Sequence, residues 1–142
     1  MNPHSATTYP SIESLPAEVQ QRLADILDDY LAGLETVDAA RLGLCGYSFG
    51  GMVTTPVAIN DTRVRALALV SPAMDGAALK KLTGFERPLT VIGGALDDLL
   101  PPELLTRNLA APPVIVPGAD HFWWDHEAAL TAALTDFFNT SL

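Results

Sequence analysis

One serine carries the strongest chemical signal of this sequence. It is Ser48, in the segment GYSFGG at residues 46–51, which follows the apolar run 42–45 and precedes a segment that can form a helix. G-x-S-x-G between a strand and a helix is typical of a nucleophile elbow, a tight turn that exposes the serine hydroxyl at the end of a sheet, beside the positive end of the helix. We therefore predict that Ser48 is a nucleophile. The alternative is a glycine-rich turn with a solvated serine.

A serine hydroxyl becomes an effective nucleophile when a base accepts its proton and an acid orients that base. Asp97 follows the apolar run 89–93, and His121 follows the run 113–116. Polar residues at the carboxyl ends of parallel strands meet at one edge of a sheet. The chain order Ser48, Asp97, His121 is also the order in which a serine on such an elbow is followed by its acid and its base.

Other residues compete for these two roles. Asp98 is an alternative acid and Asp75, beyond the second apolar run, is a reserve candidate, while Asp97 alone would suit the cap of the following turn or helix. His126 is a competing base, but it lies where the last predicted helix begins rather than directly after a strand. His121 has the alternative of being a surface loop residue. The coincidence of a serine, an acid and a base in this order favours Asp97 and His121.

Composition restricts the classes of partner. The chain has 142 residues, of which 49% are hydrophobic, and this predicts one globular domain. A formal net charge of -9 argues against nucleic acid and against an anionic membrane surface as partners. The single cysteine, Cys45, excludes an internal disulfide, and its place in a predicted strand favours a buried, inert thiol.

Cofactor and targeting signals are not found. The spacing of the histidines and the cysteine matches no metal-binding motif and no phosphate-binding glycine loop occurs, so we expect no metal and no nucleotide cofactor. The N-terminal residues lack the layout of a signal peptide, and no apolar run approaches the length of a membrane span. A cytoplasmic protein is therefore expected.

The elements that position the site follow from the pattern of apolar residues. Residues 1–15 are polar and turn-rich and are expected to form a flexible arm, and residues 16–142 are expected to form one α/β domain. An amphipathic helix is predicted over residues 16–35 because apolar residues recur there at helical spacing. These apolar residues are Leu23, Ile26, Leu27, Tyr30, Leu31 and Leu34.

Four apolar runs then alternate with helical patterns. Each run is apolar on both faces, as buried parallel strands are. The predicted strands span residues 41–45, 65–70, 89–93 and 113–116, and the predicted helices span residues 49–59, 76–82, 102–109 and 127–138. This alternation predicts a mainly parallel sheet of about four strands flanked by helices. Pro56 is expected to end or kink the first of these helices.

The stretch from about residue 37 to the C-terminus resembles the α/β-hydrolase superfamily. The segments GYSFGG, VIGGALDDLLPPELL and VIVPGADHFWW carry the resemblance and look most like the small, lid-less esterase and dienelactone-hydrolase-like branch. The resemblance implies Ser48 as nucleophile, Asp97 as orienting acid and His121 as general base. It also implies that the amide of Phe49, the residue after the nucleophile, donates to the oxyanion.

The family normally has several more strands before the elbow, whereas only about forty residues precede it here, so a truncated α/β-hydrolase fold is expected. The segment TYPSIESLPAEV resembles the family's approach to the helix before the elbow. The opening strands and the loop that supplies the second oxyanion amide have no counterpart. Since the loss of one such donor costs about 10²–10³ in turnover, weak catalysis is expected unless a donor comes from elsewhere.

Without those strands, the elbow strand would lie at an exposed edge of the sheet. It carries no charges of the kind that protect edges from pairing, so we expect it to find a partner. We favour a homodimer that joins two such edges into one continuous sheet. The alternatives are the N-terminal arm folded over the edge and a separate polypeptide that carries the missing half.

Together these observations predict a serine hydrolase that cleaves small acyl esters through an acyl-enzyme. Tyr47 beside the nucleophile, and Phe122 and Trp123 after the base, are candidate substrate contacts, with packing as the alternative role of the aromatic cluster that ends at Trp124. A strongly anionic substrate is not expected, because no basic cluster lies near the site. Two alternatives are a non-catalytic hydrolase-like domain used in assembly and one subunit of a split hydrolase.

Overall fold

A computed structural model gives the fold of the chain and describes residues 17–31 and 33–142. Its centre is a parallel sheet of four strands in the order β1-β2-β3-β4. The strands are β1 Leu42–Tyr47, β2 Val64–Val70, β3 Leu89–Gly94 and β4 Val114–Val116. The α/β fold class and the four strands predicted from the sequence are confirmed. The predicted arm, residues 1–15, lies outside the described residues.

A helix connects each pair of neighbouring strands, and another follows the last strand. The α-helices are α1 Ala17–Asp25, α2 Phe49–Asn60, α3 Gly76–Lys81, α4 Pro102–Asn108 and α5 Glu127–Ser141, and short 3₁₀ turns span Ala39–Arg41 and Leu82–Gly84. Helices α2 to α5 therefore lie where the apolar periodicity predicts them. No helix in the described ranges has the length and apolar character needed to cross a membrane.

The first predicted helix differs from its sequence pattern. After α1 the chain continues as a π-helix over Ile26–Leu31, and the described residues 33–35 are not helical. Of the apolar stripe, Leu31 packs against the core, whereas Ile26 and Tyr30 are exposed. The side chains of Leu23 and Leu27 lie outside the described residues. Helical periodicity alone overestimates this helix, because a helix in water depends on burial of its apolar face.

Helix α2 continues through Pro56 to Asn60, so of the two expected outcomes, an end or a kink at this proline, the end is wrong and the kink stays a prediction. Proline in a helix interior costs about 3 kcal/mol because it removes one hydrogen bond and its ring crowds the preceding turn. Burial offsets this cost here, since the residues from Thr54 to Ala58 are all buried. The side chain of Asn60 also donates to the Pro56 carbonyl at 2.9 Å, which supports the last turn.

The core is centred on β2, whose residues from Ala66 to Leu69 are fully buried. The larger apolar cluster joins this strand to α2, α3 and α4; its members include Met52, Leu67, Leu69, Met74, Leu79 and Leu105. A smaller cluster joins the strands to α5 and contains Val70, Ile92, Ala119 and Trp123. Helices pack around a sheet whose strands end together, and this arrangement brings the loops after β1, β3 and β4 to one edge.

The two outer strands are less buried than the sequence predicts. Strands β1 and β4 lie at the two ends of the strand order and are only partly covered, which corrects the expectation that every strand is buried on both faces. Cys45 on β1 is exposed, so the prediction of a buried thiol was also wrong. Within the described part of the chain, β1 pairs on one side only, with β2. A homodimer through its free edge stays a prediction.

Candidate active site

Ser48 stands on the turn between β1 and α2 and has an uncommon backbone conformation, with φ 49° and ψ -118°. A positive φ in a residue other than glycine costs about 1–3 kcal/mol and persists where surrounding contacts fix it. Here the N–H of Ser48 donates to the Val70 carbonyl at 2.9 Å, and the Ser48 carbonyl accepts from Gly51 at 3.0 Å and from Ala73 at 2.9 Å. The order of strand, strained turn and helix has the geometry expected for a nucleophile elbow, and the role of Ser48 as nucleophile stays a prediction.

Close packing explains two of the glycines around the elbow. A Cβ on Gly46 would overlap the Thr54 hydroxyl and lie 2.7 Å from the Gly50 carbonyl oxygen, and a Cβ on Gly51 would lie 2.8 Å from Pro72. Gly50 has open space at the same position. The elbow therefore requires glycine at residues 46 and 51, whereas the sequence pattern emphasises residues 46 and 50.

The three residues singled out by their order in the chain meet at the carboxyl edge of the sheet. Nε2 of His121, on the loop after β4, lies 2.9 Å from Oγ of Ser48. Nδ1 of the same ring lies 3.1 Å from Oδ1 and 3.0 Å from Oδ2 of Asp97, which follows β3. Ser48 is half-buried, His121 is 7% exposed and Asp97 is 1% exposed. A hydroxyl, an imidazole and a carboxylate thus form one continuous chain of hydrogen bonds.

The loop after β3 fixes the Asp97 carboxylate. Its Oδ1 accepts the backbone N–H groups of Leu99 at 3.0 Å and Leu100 at 2.8 Å. The strand end lies against the His121 loop, since a Cβ on Gly94 would overlap the Ala119 carbonyl oxygen. This close approach brings the Asp97 carboxylate within hydrogen-bonding distance of the His121 ring.

Hydrogen bonds also fix the loop that carries His121. Oδ1 of Asp120 accepts the N–H groups of Phe122 and Trp123, both at 2.9 Å. The Trp123 side chain is 3% exposed, and its indole N–H donates to the Ser71 hydroxyl at 3.2 Å. Trp123 therefore packs in the smaller core cluster. This is the packing role that the sequence analysis gave as the alternative, and a contact of Trp123 with substrate stays a prediction.

Tyr47 and Phe122 flank the His121 ring. The ring centres of Tyr47 and His121 are 5.7 Å apart, and those of His121 and Phe122 are 5.6 Å apart in an edge-to-face arrangement. Both flanking side chains are exposed, at 46% for Tyr47 and 62% for Phe122. The Tyr47 hydroxyl donates to the backbone carbonyl of His121 at 2.8 Å, a contact that sequence reasoning did not anticipate.

Burial, and after it the negative charges of Asp97 and Asp120, raise the pKa of the Tyr47 hydroxyl. Each of these effects disfavours the phenolate. Tyr47 therefore stays a hydrogen-bond donor across the neutral range of pH.

The competing candidates have other positions. Asp98 is exposed at the surface. Asp75 caps α3, where its carboxylate accepts the N–H of Ala78 at 2.8 Å. Nδ1 of His126 lies 2.8 Å from the Trp124 carbonyl oxygen at the start of α5. The hydrogen-bonded chain that ends at Ser48 includes none of these three.

Phe49 occupies the position expected for an oxyanion donor. It is the first residue of α2, so its N–H has no carbonyl partner within the helix and lies at the positive end of the helix dipole. Its role as donor stays a prediction. In the described ranges of the chain, no three His, Cys, Asp or Glu side chains form a group that could hold a metal ion.

Sequence reasoning missed the anchoring role of Asp120. An aspartate whose carboxylate accepts backbone N–H groups two and three residues later is a local turn pattern. The segment Ala119-Asp120-His121 therefore contained a usable signal. The Tyr47 contact with His121 joins residues distant in the chain, and no local pattern could have revealed it.

Comparison with known proteins identifies the fold. No protein-family model and no curated protein matches the sequence. Among solved structures, an alpha-beta serine hydrolase homologue from Coxiella burnetii is similar at 23% identity with a TM-score of 0.66, over 81% of this chain and 56% of that one. Est1E from Butyrivibrio proteoclasticus has 17% identity and a TM-score of 0.66, over 86% and 69% of the two chains.

The esterase domain of a Rhodothermus marinus protein is similar at 19% identity, with a TM-score of 0.59, over 78% of this chain and 62% of that one. These similarities define the class of architecture, the α/β-hydrolase fold. Within this class, the architecture is the one seen in esterase-like structures. The chain spans 56% of the length of the Coxiella burnetii homologue and 69% of that of Est1E, so it contains part of that architecture. The resemblance carried by the three sequence segments is thus confirmed at the level of the fold.

Proposed function

We propose that the protein is a serine hydrolase that cleaves small acyl esters through an acyl-enzyme intermediate. One observation carries the proposal, the hydrogen-bonded chain from Oγ of Ser48 through the imidazole of His121 to the carboxylate of Asp97. This constellation supports nucleophilic catalysis because each member has the partner that its role requires.

The reaction has two halves. As Oγ of Ser48 attacks the acyl carbon, Nε2 of His121 takes the hydroxyl proton and the carbonyl oxygen becomes an oxyanion beside the N–H of Phe49. Collapse of this intermediate breaks the ester bond, and His121 returns the proton to the leaving alcohol. Water then attacks the acyl-enzyme, with its proton passing to Nε2, and the acid and the free Ser48 hydroxyl are regenerated.

Exposed apolar side chains around the site favour an uncharged substrate. Tyr47 and Phe49 flank the nucleophile, Phe122 follows the base, and Leu96 and Leu99 lie on either side of Asp97 in the chain. Contacts of this kind suit an acyl or alkyl group. The carboxylates of the two loops and the net charge of -9 disfavour an anionic one.

Labelling with a fluorophosphonate tests the proposal. The reagent phosphonylates an activated serine, and mass spectrometry locates the adduct. We expect the adduct on Ser48, no adduct in Ser48→Ala, and strongly reduced labelling in His121→Ala. The rates of hydrolysis of p-nitrophenyl acetate and butyrate should rank the proteins as labelling does, with the wild type fastest, His121→Ala strongly reduced and Ser48→Ala inactive. An unlabelled wild-type protein at saturating reagent would contradict the proposal.

A second candidate, one subunit of a split hydrolase or a non-catalytic assembly domain, is favoured by the free edge of β1 in the described part of the sheet. Such an edge can pair with a strand of another polypeptide. On this alternative, the isolated protein would fold without labelling. Addition of a polypeptide that covers the β1 edge would restore labelling for a split hydrolase but not for an assembly domain.

A further inference from the structure

The hydroxyl of Tyr47 joins the elbow to the backbone of the proposed base. It donates to the His121 carbonyl oxygen at 2.8 Å, across 74 residues of sequence. The Tyr47 ring is 46% exposed, yet its polar end is directed to this carbonyl. A second bond, from Oγ of Ser48 to Nε2 of His121, connects the same two segments.

Other contacts hold the His121 loop from the opposite side. The N–H of Leu96, just after β3, donates to the Ala119 carbonyl at 2.9 Å. The indole of Trp123 donates to Ser71 at the end of β2. These bonds tie the loop to β2 and β3, whereas the Tyr47 bond ties it to β1. The backbone of His121 is therefore held from both sides of the site.

From this arrangement we propose that Tyr47 is a positioning residue, whose hydroxyl holds the His121 carbonyl so that Nε2 stays within hydrogen-bonding distance of the Ser48 hydroxyl. The inference rests on the proposed function. Asp97 orients the ring of His121. The position of Nε2 also depends on where the His121 backbone lies, because the ring is attached to it. A shift of about 1 Å in a reacting group can cost on the order of 10²-fold in rate, so one anchoring bond is enough to matter.

The raised pKa of Tyr47 is consistent with this role. A phenolate could not donate to a carbonyl, and both burial and the nearby carboxylates keep the hydroxyl protonated. The Tyr47 hydroxyl therefore remains a donor to the His121 carbonyl across the neutral range of pH.

The variant Tyr47→Phe removes the hydroxyl and keeps the ring. Its matched control is Tyr30→Phe, since Tyr30 is an exposed tyrosine on the π-helix after α1. We would measure kcat and KM for p-nitrophenyl butyrate, the thermal unfolding midpoint, and the downfield proton NMR signal of the Nδ1–H of His121. Loss of that signal in His121→Ala assigns it. All measurements are made well below the unfolding midpoints.

We expect Tyr47→Phe to lower kcat by about tenfold or more, with KM changed by less than roughly twofold, and to broaden or shift the Nδ1–H signal. Tyr30→Phe should match the wild type in all three. Unchanged kcat and an unchanged signal in Tyr47→Phe would overturn the inference. A rise in KM alone would also overturn it, by making Tyr47 a substrate contact.

The two proposals fail differently. If the wild-type protein neither hydrolyses esters nor reacts with the fluorophosphonate, the proposed function fails. The NMR signal then still decides whether the Tyr47 hydroxyl positions His121. A signal that is sharp in the wild type and lost in Tyr47→Phe supports positioning even in a protein without turnover, and a signal that is the same in both refutes it.

Discussion

Both carboxylate oxygens of Asp97 lie within hydrogen-bonding distance of Nδ1 of His121, at 3.1 Å for Oδ1 and 3.0 Å for Oδ2. Oδ1 also accepts two backbone N–H groups of its own loop, so the carboxylate cannot turn away. A carboxylate in this position keeps the imidazole proton on Nδ1 and leaves Nε2 free to accept a proton. Ser48 lies at that free nitrogen.

Replacement of Asp97 tests this relationship. In Asp97→Asn the amide can donate to Nδ1, which favours the tautomer with the proton on Nε2, and that nitrogen can then no longer act as a base. We expect kcat to fall by about 10⁴-fold, with little change in the unfolding midpoint. The matched control is Asp98→Asn, which alters an exposed neighbour and should keep wild-type turnover. Equal losses in the two variants would refute the assignment of the acid.

Two glycine substitutions test the packing of the elbow. Gly46→Ala places a Cβ against the Thr54 hydroxyl and the Gly50 carbonyl, and overpacking of this kind costs about 1–3 kcal/mol of unfolding free energy. Gly50→Ala meets no atom within 4 Å and adds a better helix former, so we expect unchanged or slightly higher stability. Urea denaturation measures both. A Gly46→Ala protein as stable as Gly50→Ala would contradict the close approach.

The reactivity of Cys45 should depend on pH in a defined direction. Although Cys45 is exposed, the protein around it removes part of the water from its thiol, and this desolvation raises the pKa of the thiol. At a given pH the folded protein therefore contains less thiolate than an unfolded chain. Alkylation by iodoacetamide should therefore be slower in the folded protein. The increase of its rate with pH should also occur at a higher pH than in the protein unfolded in urea. The folded state holds the thiol proton more tightly than the unfolded chain does. The contribution of Cys45 to the free energy of unfolding is therefore fully present at low pH and declines as the pH rises above the pKa of the thiol in the unfolded chain. If the alkylation rate of the folded protein has its inflection at or below the pH found for the chain in urea, this expectation is refuted.

The predicted homodimer can be tested through the edge of β1. Sedimentation velocity should give a dimer for the wild type. Cys45→Lys adds a charge at an exposed position of the edge strand and should give a monomer, because edge charges block strand pairing. Thr62→Lys adds the same charge in the exposed turn before β2 and should stay a dimer. A monomeric wild type, or a dimeric Cys45→Lys variant, would rule out this interface.

Much of the fold could be predicted from the sequence because its signals are local. Apolar runs bounded by glycine and proline mark the strands, and helical spacing marks α2 to α5. The turn at Ser48 follows from the glycines between a strand and a helix. The first helix and Pro56 were predicted less well, because both depend on how much apolar surface other elements cover.

Chain order by itself determined which kinds of group would meet at the edge of the sheet, a serine after β1, an acid after β3 and a histidine after β4. The sequence favoured Asp97 and His121 over their neighbours, but only the tertiary structure showed that these two residues, and not Asp98 or His126, join the hydrogen-bonded chain that ends at Ser48. The burial of Trp123 and the hydrogen bond from the Tyr47 hydroxyl to the His121 carbonyl are likewise visible only in the tertiary structure. The direction of a loop side chain depends on contacts with segments distant in the chain, and such contacts exist only after the strands have paired.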